Sequence, residues 1–341
     1  MQAALKKVLA GEYLSQEEAE EIFRESLSGS ADPVVLAGLL VAMAQRGESA
    51  DEVTGAAAAL RHTMTPFEHD FEDAIDTCGT GGDGLGTFNI STTSAIIAAA
   101  AGAKVVKHGN RAVSSSCGSA DLLEALGIKL ELSAEAARGC LNELGITFLF
   151  APAYHPSMRH AGPIRRALGV RTIFNLIGPL ANPGRVQRQV LGVSDPRHLN
   201  LHAAALEKLG VRKAIVVHGG GGADELTLQS GNQAIEIDPE AGTSAVLIDA
   251  ESLGLRPCPV SELKGGDAQT NLAILEKVLA GEESPILDAV LLNTATALYT
   301  AGLGDSVEEG LDLAKSAVES GKARDTLKRW AELSQKLGGQ A

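Results

Sequence analysis

Two hydrophobic spacings divide the chain. Up to about residue 65, apolar positions recur every three or four residues, the period that lines one face of a helix. Residues 3–9 make a short amphipathic stretch. Ser15 and Glu18 have the spacing of a capping box, in which the hydroxyl caps free amides and the carboxylate bonds back. Ala19, Ile22, Phe23 and Leu27 then supply one stripe. Asp32-Pro33 reads as an N-cap followed by proline at the first helical position. The helix it opens carries Val35, Leu36, Leu39, Leu40 and Met43 and stops near Gly47. Ser49 and Glu52 repeat the capping box ahead of a helix through Leu60. The 33–44 helix is apolar on nearly every side, more than a small bundle alone would bury. It belongs either to a core shared with a second domain or to a subunit interface.

From Ala74 short apolar runs alternate with helical stretches. Strands are expected at 74–77, 104–106, 146–150, 190–193, 214–217, 234–237 and 245–247. Helices are expected at 92–101, 120–126, 134–144, 197–209 and 272–279. This rhythm predicts an α/β domain with a largely parallel sheet. Residues 159–178 interrupt it with further helical sequence, which is expected to return to the helical layer. Residues 286–299 read as an alanine-rich buried helix, and 307–337 as a charged helical tail. No internal repeat or low-complexity linker is visible. The fold class is α/β: a small helical N-terminal domain (1–70, joined by helices from about 155–185) and a larger α/β domain (71–341) with a mostly parallel central sheet.

Composition narrows this picture. The 341 residues are 45% apolar but only 3% aromatic, which favours close helix–strand packing over stacking surfaces. The formal net charge of −14 (29 basic, 43 acidic) argues against nucleic acid as a partner, since such binding rests on clustered Lys and Arg. A small anionic substrate stays open, because a local site can be positive on an acidic protein. Cys78, Cys117, Cys140 and Cys258 show no CxxC or Cys/His metal spacing and read as thiols of a reducing cytosol, with Cys78 and Cys117 as small packing residues. The N-terminus has no signal-like pattern, and the longest apolar runs, about ten residues, are too short to cross a bilayer. A cytoplasmic protein without a membrane partner is expected.

The candidate chemistry lies mainly in residues 76–119. Asp76-Thr77-Cys78-Gly79-Thr80-Gly81-Gly82-Asp83 leaves a strand, and Thr87, Asn89, Ser91 and Thr92 lead into a helix starting near Thr92. Glycines let successive amides turn toward an anion, and a helix N-terminus favours phosphate. The run is neither a Walker loop nor a clean dinucleotide fingerprint. A tight strand-to-helix turn would need the glycines, but not Asp83, Asn89, Ser91 and Thr92 beside them. The second loop, Lys107 to Ser116, adds two cations, Asn110 and three serines. That is a mixture suited to phosphate, at the carboxyl end of a neighbouring strand. Asp224-Glu225, after the glycine run 219–222, would alone be a solvated acidic corner. Beside two phosphate loops the pair suits Mg2+, which takes one or two carboxylates plus phosphate oxygens and water. An arginine among Arg159, Arg165, Arg166 and Arg171 could clamp a carboxylate, and the residues alone do not choose. His108, His155, His160 and His218 fit no nucleophile–base pattern and read as structural, with His108 the exception by position.

At these residues the chain resembles the anthranilate phosphoribosyltransferase family of tryptophan biosynthesis. The segments CGTGGD, NIST, KHGNRAVSS with GSAD after it, GVRTIFNLIGPLANP, and DE after VVHGGGG follow that pattern in order, over essentially the whole chain. The four-glycine run at 219–222 is a departure, where relatives often carry an acidic or bulkier residue. The resemblance implies that Gly79, Gly82, Asp83, Thr87, Asn89, Ile90, Ser91, Thr92, Lys107, His108, Gly109, Asn110, Arg111, Ala112, Val113, Ser114, Ser115 and Ser119 hold phosphoribosyl diphosphate. It implies Mg2+, two ions with the diphosphate, on Ser91, Asp224 and Glu225. Gly79, Asn110 and Arg165 would meet anthranilate, Arg165 at its carboxylate, with His108 a further candidate. No general base is implied: Lys107, Asn110 and Arg165 would position substrates and stabilise diphosphate. A homodimer through the helical domains, on a fold similar to pyrimidine nucleoside phosphorylases, is also implied. The alternatives are a nucleoside phosphorylase relative, which needs a base-reading pocket, and a non-catalytic nucleic-acid-binding member of the superfamily, which needs a basic face.

Overall fold

The computed structural model describes residues 1–112 and 116–339. The N-terminal region is four helices, α1 (Gln2–Leu9), α2 (Gln16–Ser28), α3 (Pro33–Arg46) and α4 (Ala50–Thr63). Both capping boxes form. The Ser15 hydroxyl accepts from the Glu18 amide at 3.2 Å while the Glu18 carboxylate accepts from the Ser15 amide at 2.7 Å. Ser49 and Glu52 pair in the same way. Asp32 caps α3 by accepting from the Val34 and Val35 amides. α3 buries Leu36, Leu39, Leu40 and Met43, whereas Val34 is 81% and Val41 43% exposed. One face of this apolar helix is therefore core, and the other reaches the surface.

The remaining chain alternates: β1 (Ile75–Gly79), α5 (Ile90–Ala100), β2 (Val105–Gly109), α6 (Ser119–Ala125), α7 (Ala134–Leu144), β3 (Ile146–Phe150), α8 (Ala151–Tyr154), α9 (Met158–Leu168), α10 (Ile173–Leu176), β4 (Arg188–Gly192), α11 (His198–Lys208), β5 (Lys213–His218), β6 (Gln233–Asp238), β7 (Gly242–Val246), α12 (Ala268–Leu279), α13 (Pro285–Ala301), α14 (Val307–Glu319) and α15 (Lys322–Gly338). All seven expected strands form one sheet in the order β3-β2-β1-β4-β5-β6-β7. The first five are parallel, and β6 and β7 add an antiparallel edge. The segment after β3 returns to the helical layer, with α9 against α2 and α3, and α10 against α3 and α4. No helix among the described residues is long and apolar enough to cross a membrane.

Successive strand residues point to opposite faces, and both faces are covered. Ile215 and Val217 join the core built with α5 and α13, while Ala214 and Val216 join the core built with α4 and α11. Burial on both sides makes these strands continuous apolar runs, the feature that made them legible. Most strand ends shift by one to three residues from expectation, and three helical differences have a clear cause. α5 begins at Ile90 rather than 92, and α12 at Ala268 rather than 272, because polar first turns carry no hydrophobic period. The tail is two helices, divided at Gly321, whose φ of +78° ends the helical path.

Gly55 marks the closest approach of α2 and α4. A Cβ there would overlap the Gln16 carbonyl and lie 2.8 Å from Ala19 Cβ. Helix propensity alone favours alanine over glycine by about 1 kcal/mol. Gly55→Ala should nevertheless destabilise the protein, by about 1–3 kcal/mol from overpacking. A lower denaturation midpoint at unchanged m-value checks this.

Candidate active site

The strand order reverses between β1 and β4. Chain direction runs outward from β1 to β3, then returns to place β4 on the other side of β1. A crevice at the carboxyl ends of strands is the ligand site of open α/β sheets. Four loops meet there: 80–89 after β1, residues 110–112 and 116–118 after β2, the start of the β4–α11 link, and 219–225 after β5. Gly79 and Gly192 are register partners at the ends of β1 and β4. The 219–225 loop lies directly against them. A Cβ at Gly192 would overlap the Asp224 carbonyl, and one at Gly79 would overlap the Asp224 carboxylate.

This contact brings the acidic pair to the first anion loop and the helix it enters. Asp224 Oδ2 accepts from the Gly81 amide at 2.6 Å, and Glu225 Oε1 accepts from the Ser91 amide at 3.2 Å. Ser91 is in the first turn of α5, whose free amides favour negative charge. Lys107 is buried in β2, and its ammonium donates to the Thr77 carbonyl. Burial raises the Asp224 and Glu225 pKa values. Asp83 is the next cause for Asp224, and Asp224 the next for Glu225, where Lys107 pulls back. Asp83 Oδ2 is buried without a hydrogen-bond partner. Asp83, Asp224 and Glu225 thus crowd one another while Lys107 offsets only Glu225, an arrangement that a bound cation would relieve. Among the described residues no three or more His, Cys, Asp and Glu side chains are arranged to hold an ion alone. Mg2+ recruited with a polyphosphate needs fewer protein ligands than that.

The second loop is organised by Asp121, which the sequence reading did not single out. It sits in the first turn of α6, within GSAD. Its Oδ2 accepts from the Ala112 and Gly118 amides at 2.9 and 2.8 Å. Arg111 pairs with Asp121 at 3.1 Å and with Glu124 at 2.7 Å, so α6 holds this guanidinium. Ser119 Oγ donates to the Asn110 carbonyl, and Asn110 itself is exposed. Thr87 bridges to Lys264, while Ile90 and Thr92 are buried in α5. Gly82 has a φ of +76°, and Arg171 Nη1 packs where a Cβ would project. Val113, Ser114 and Ser115 lie outside the described residues.

The four arginines separate clearly. Arg159 is exposed and donates to His160, and Arg166 is exposed. Arg171 reaches the glycine loop, donating to the Gly81 carbonyl at 2.8 Å. Gly81 is thus held on both sides, by Asp224 at its amide and Arg171 at its carbonyl. Arg165 lies over the Phe174 ring at 5.6 Å, and burial lowers its pKa with no carboxylate offsetting the effect. Asp76, fully buried beneath the site, accepts from the Asn182 amide at 2.8 Å and from the His108 backbone at 3.2 Å. His108 and His155 share one bond between their Nε2 atoms at 3.2 Å. Burial pushes the Cys78 thiol up, away from nucleophile chemistry.

The chain has the two parts, helical bundle and α/β domain, of a glycosyltransferase family. The family model described as "Glycosyl transferase family, helical bundle domain" matches residues 2–64, and the one described as "Glycosyl transferase family, a/b domain" matches residues 71–324. Anthranilate phosphoribosyltransferase of Roseiflexus sp. (strain RS-1) is 46% identical over 335 residues, covering 98% of this chain and 97% of that protein. The Moorella thermoacetica enzyme of the same name is 44% identical over 97% of this chain and 98% of its own. The crystal structure of anthranilate phosphoribosyltransferase from Thermus thermophilus superposes with a TM-score of 0.90 at 45% identity, covering 98% of this chain and 100% of that one. The Saccharomyces cerevisiae enzyme in complex with PRPP and Mg superposes at 0.89 with 26% identity, covering 98% of each chain. The chain belongs to the anthranilate phosphoribosyltransferase family. It is accordingly an enzyme, a glycosyltransferase of tryptophan biosynthesis.

The buried histidines make a pH prediction. Burial lowers His155 from 6.5 to about 4 and His108 from 6.5 to about 3. With folded values below unfolded ones, the unfolded chain binds more protons in acid, so stability is lost as pH falls from about 6.5 towards 4. For His155 the loss is roughly 3 kcal/mol by pH 4. His155→Gln should flatten this slope in denaturant titrations at successive pH values, and an unchanged slope would contradict it.

Proposed function

We propose that the crevice transfers the phosphoribosyl group of 5-phosphoribosyl 1-diphosphate to the amine of anthranilate, giving N-(5-phosphoribosyl)anthranilate and diphosphate. The observation that carries this reading is the meeting of Asp224-Glu225 with the amides of Gly81 and Ser91 at the β1/β4 crevice. These amides suit phosphate oxygens and the carboxylates suit the cation that travels with them. Gly79, Gly82, Asp83, Thr87, Asn89, Ile90, Ser91 and Thr92 form the first wall for phosphoribosyl diphosphate. Lys107, His108, Gly109, Asn110, Arg111, Ala112 and Ser119 would form the second, with Val113, Ser114 and Ser115 assigned to it by the sequence resemblance. Arg111 would exchange part of its pairing with Asp121 and Glu124 for phosphate.

Ser91, Asp224 and Glu225 would hold Mg2+, two ions with the diphosphate, which neutralise the charge of the leaving group. The yeast relative described as in complex with PRPP and Mg supports this cation, and the crowded carboxylates of this chain fit it. Gly79, Asn110 and Arg165 would meet anthranilate. Arg165 is supported by its half-buried guanidinium with no carboxylate beside it. The carbon–oxygen bond at ribose C1 breaks early as the amine adds, so positive charge develops on the sugar. An aromatic amine is neutral at pH 7 and needs no strong base. What the chain supplies is positioning and a charged cradle for the departing oxygen, from Lys107, Asn110, Arg165 and loop amides.

The same reading includes a cytoplasmic homodimer. The outward face of α3, with exposed Val34 and Val41, supports pairing through the helical domains, where Leu9 and Tyr13 are also exposed. Four free thiols suit a reducing compartment.

The test is direct. Protein mixed with Mg2+, anthranilate and phosphoribosyl diphosphate should consume anthranilate fluorescence. Asp224→Ala combined with Glu225→Ala should lower the rate at least about a hundredfold, a loss in the range seen when groups stabilising a leaving charge are removed. No fluorescence loss with folded wild-type protein would defeat the reading. Unchanged kinetics in the double variant would remove the pair from the metal site.

A further inference from the structure

A chain of side-chain amides ties the two anion loops to a segment far along the sequence. The Gly266 amide donates to Asn271 Oδ1 at 2.7 Å. Asn271 Nδ2 donates to Asn89 Oδ1 at 2.8 Å, and Asn89 Nδ2 donates to the Cys117 carbonyl at 3.0 Å. The direction of this relay is fixed at both ends, since a backbone N–H can only donate and a carbonyl can only accept. Neither amide can flip without opposing two like groups.

The segment before α12 reinforces the relay. Thr87 bridges to Lys264, the Phe88 amide donates to the Leu263 carbonyl at 2.8 Å, and the Gly265 amide donates to the Gly86 carbonyl at 3.0 Å. A Cβ at Gly265 would lie 2.6 Å from Asn271 Oδ1 and 2.9 Å from Phe88 Cα, so the backbones approach as only glycine permits. Asn271 is 1% exposed, and it occupies the first turn of α12, capped by Asp267. Such a buried amide stays only if its bonds are made.

We propose that Asn271 is a positioning residue for phosphoribosyl transfer: through Asn89 it sets the spacing between the glycine loop and the Lys107–Ser119 loop. The relay uses one N–H of Asn89 and leaves the other free for a phosphate oxygen. Asn271 therefore acts on the diphosphate cradle without touching substrate, and it acts on the phosphoribosyl side rather than the anthranilate side. This rests on the reading of the crevice above.

Asn271→Asp separates donor from acceptor. It keeps an acceptor for Gly266 but has no N–H for Asn89. Asn271→Ala removes both bonds without adding charge. Both variants should raise KM for phosphoribosyl diphosphate about tenfold or more, the factor expected for one lost buried hydrogen bond, while KM for anthranilate stays within about twofold. Both should also speed alkylation of Cys117 by N-ethylmaleimide, located by peptide mass spectrometry, because the second loop loses its anchor. If Asn271→Asp weakens the diphosphate substrate and Asn271→Ala does not, the effect is charge repulsion and the proposal fails. It fails also if both KM values move together, or if Cys117 reactivity is unchanged.

Hydrogen exchange on the wild type needs no variant to fold. Phosphoribosyl diphosphate with Mg2+ should slow exchange at residues 263–267 together with both loops, and an unaffected 263–267 segment would overturn the relay. A wild type that fails to use phosphoribosyl diphosphate would defeat the functional reading instead, leaving Cys117 alkylation as the test of the relay.

Discussion

Everything at the crevice depends on how close the 219–225 loop can come to the ends of β1 and β4. Gly79 and Gly192 are paired across the switch point, and the Asp224 backbone and carboxylate fill the volume that side chains would take. The loop itself turns at Gly221 and Gly222, both at positive φ. Without that approach the Asp224 carboxylate would not reach the Gly81 amide. The glycines therefore do two jobs. They free amides to face an anion, and they admit the acidic pair that would carry its counter-cation.

The electrostatics follow from this geometry. On a protein of net charge −14, the proposed anion site would rest on a few concentrated donors rather than on a basic surface. Lys107 is buried where its charge acts on Asp76 and Glu225, and burial raises these two carboxylates and Asp224. In the structure, Asp224 and Glu225 occupy amides of the glycine loop and of the first turn of α5, which suit phosphate. Cation and diphosphate arriving together would take the carboxylates and the amides respectively. Desolvated charge is costly when unpaired and strong when paired, so the same crowding that strains the free site favours the doubly charged ligand.

Much of this was legible in the sequence, and the failures have physical causes. The strands were found because burial on both faces writes them as apolar runs. The two capping boxes and the Asp32-Pro33 start were found because capping is local. Ile90 and Ala268, where α5 and α12 begin, were placed late because their first turns are polar. The anion loops and Asp224-Glu225 stood out by residue type and by family pattern, and the fold brings them to one crevice. Asp121, Asn271 and the hold of Arg171 on the glycine loop did not stand out, because these roles are contacts rather than composition. Asn271 meets Asn89 across 182 residues of chain, and Arg171 meets Gly81 across 90. No local pattern encodes such distances. The apolar surface of α3 was legible as excess hydrophobicity, and the structure divides it into a buried and an exposed face.

The central claim is that the Gly79–Gly192 contact with Asp224 assembles the diphosphate cradle. Calorimetric titration of Gly192→Ala with phosphoribosyl diphosphate and Mg2+ tests it most directly. The Cβ would displace the Asp224 backbone while leaving the sheet intact. The account predicts an affinity at least about tenfold weaker than wild type, with unchanged far-ultraviolet circular dichroism. Wild-type affinity in that variant would contradict it.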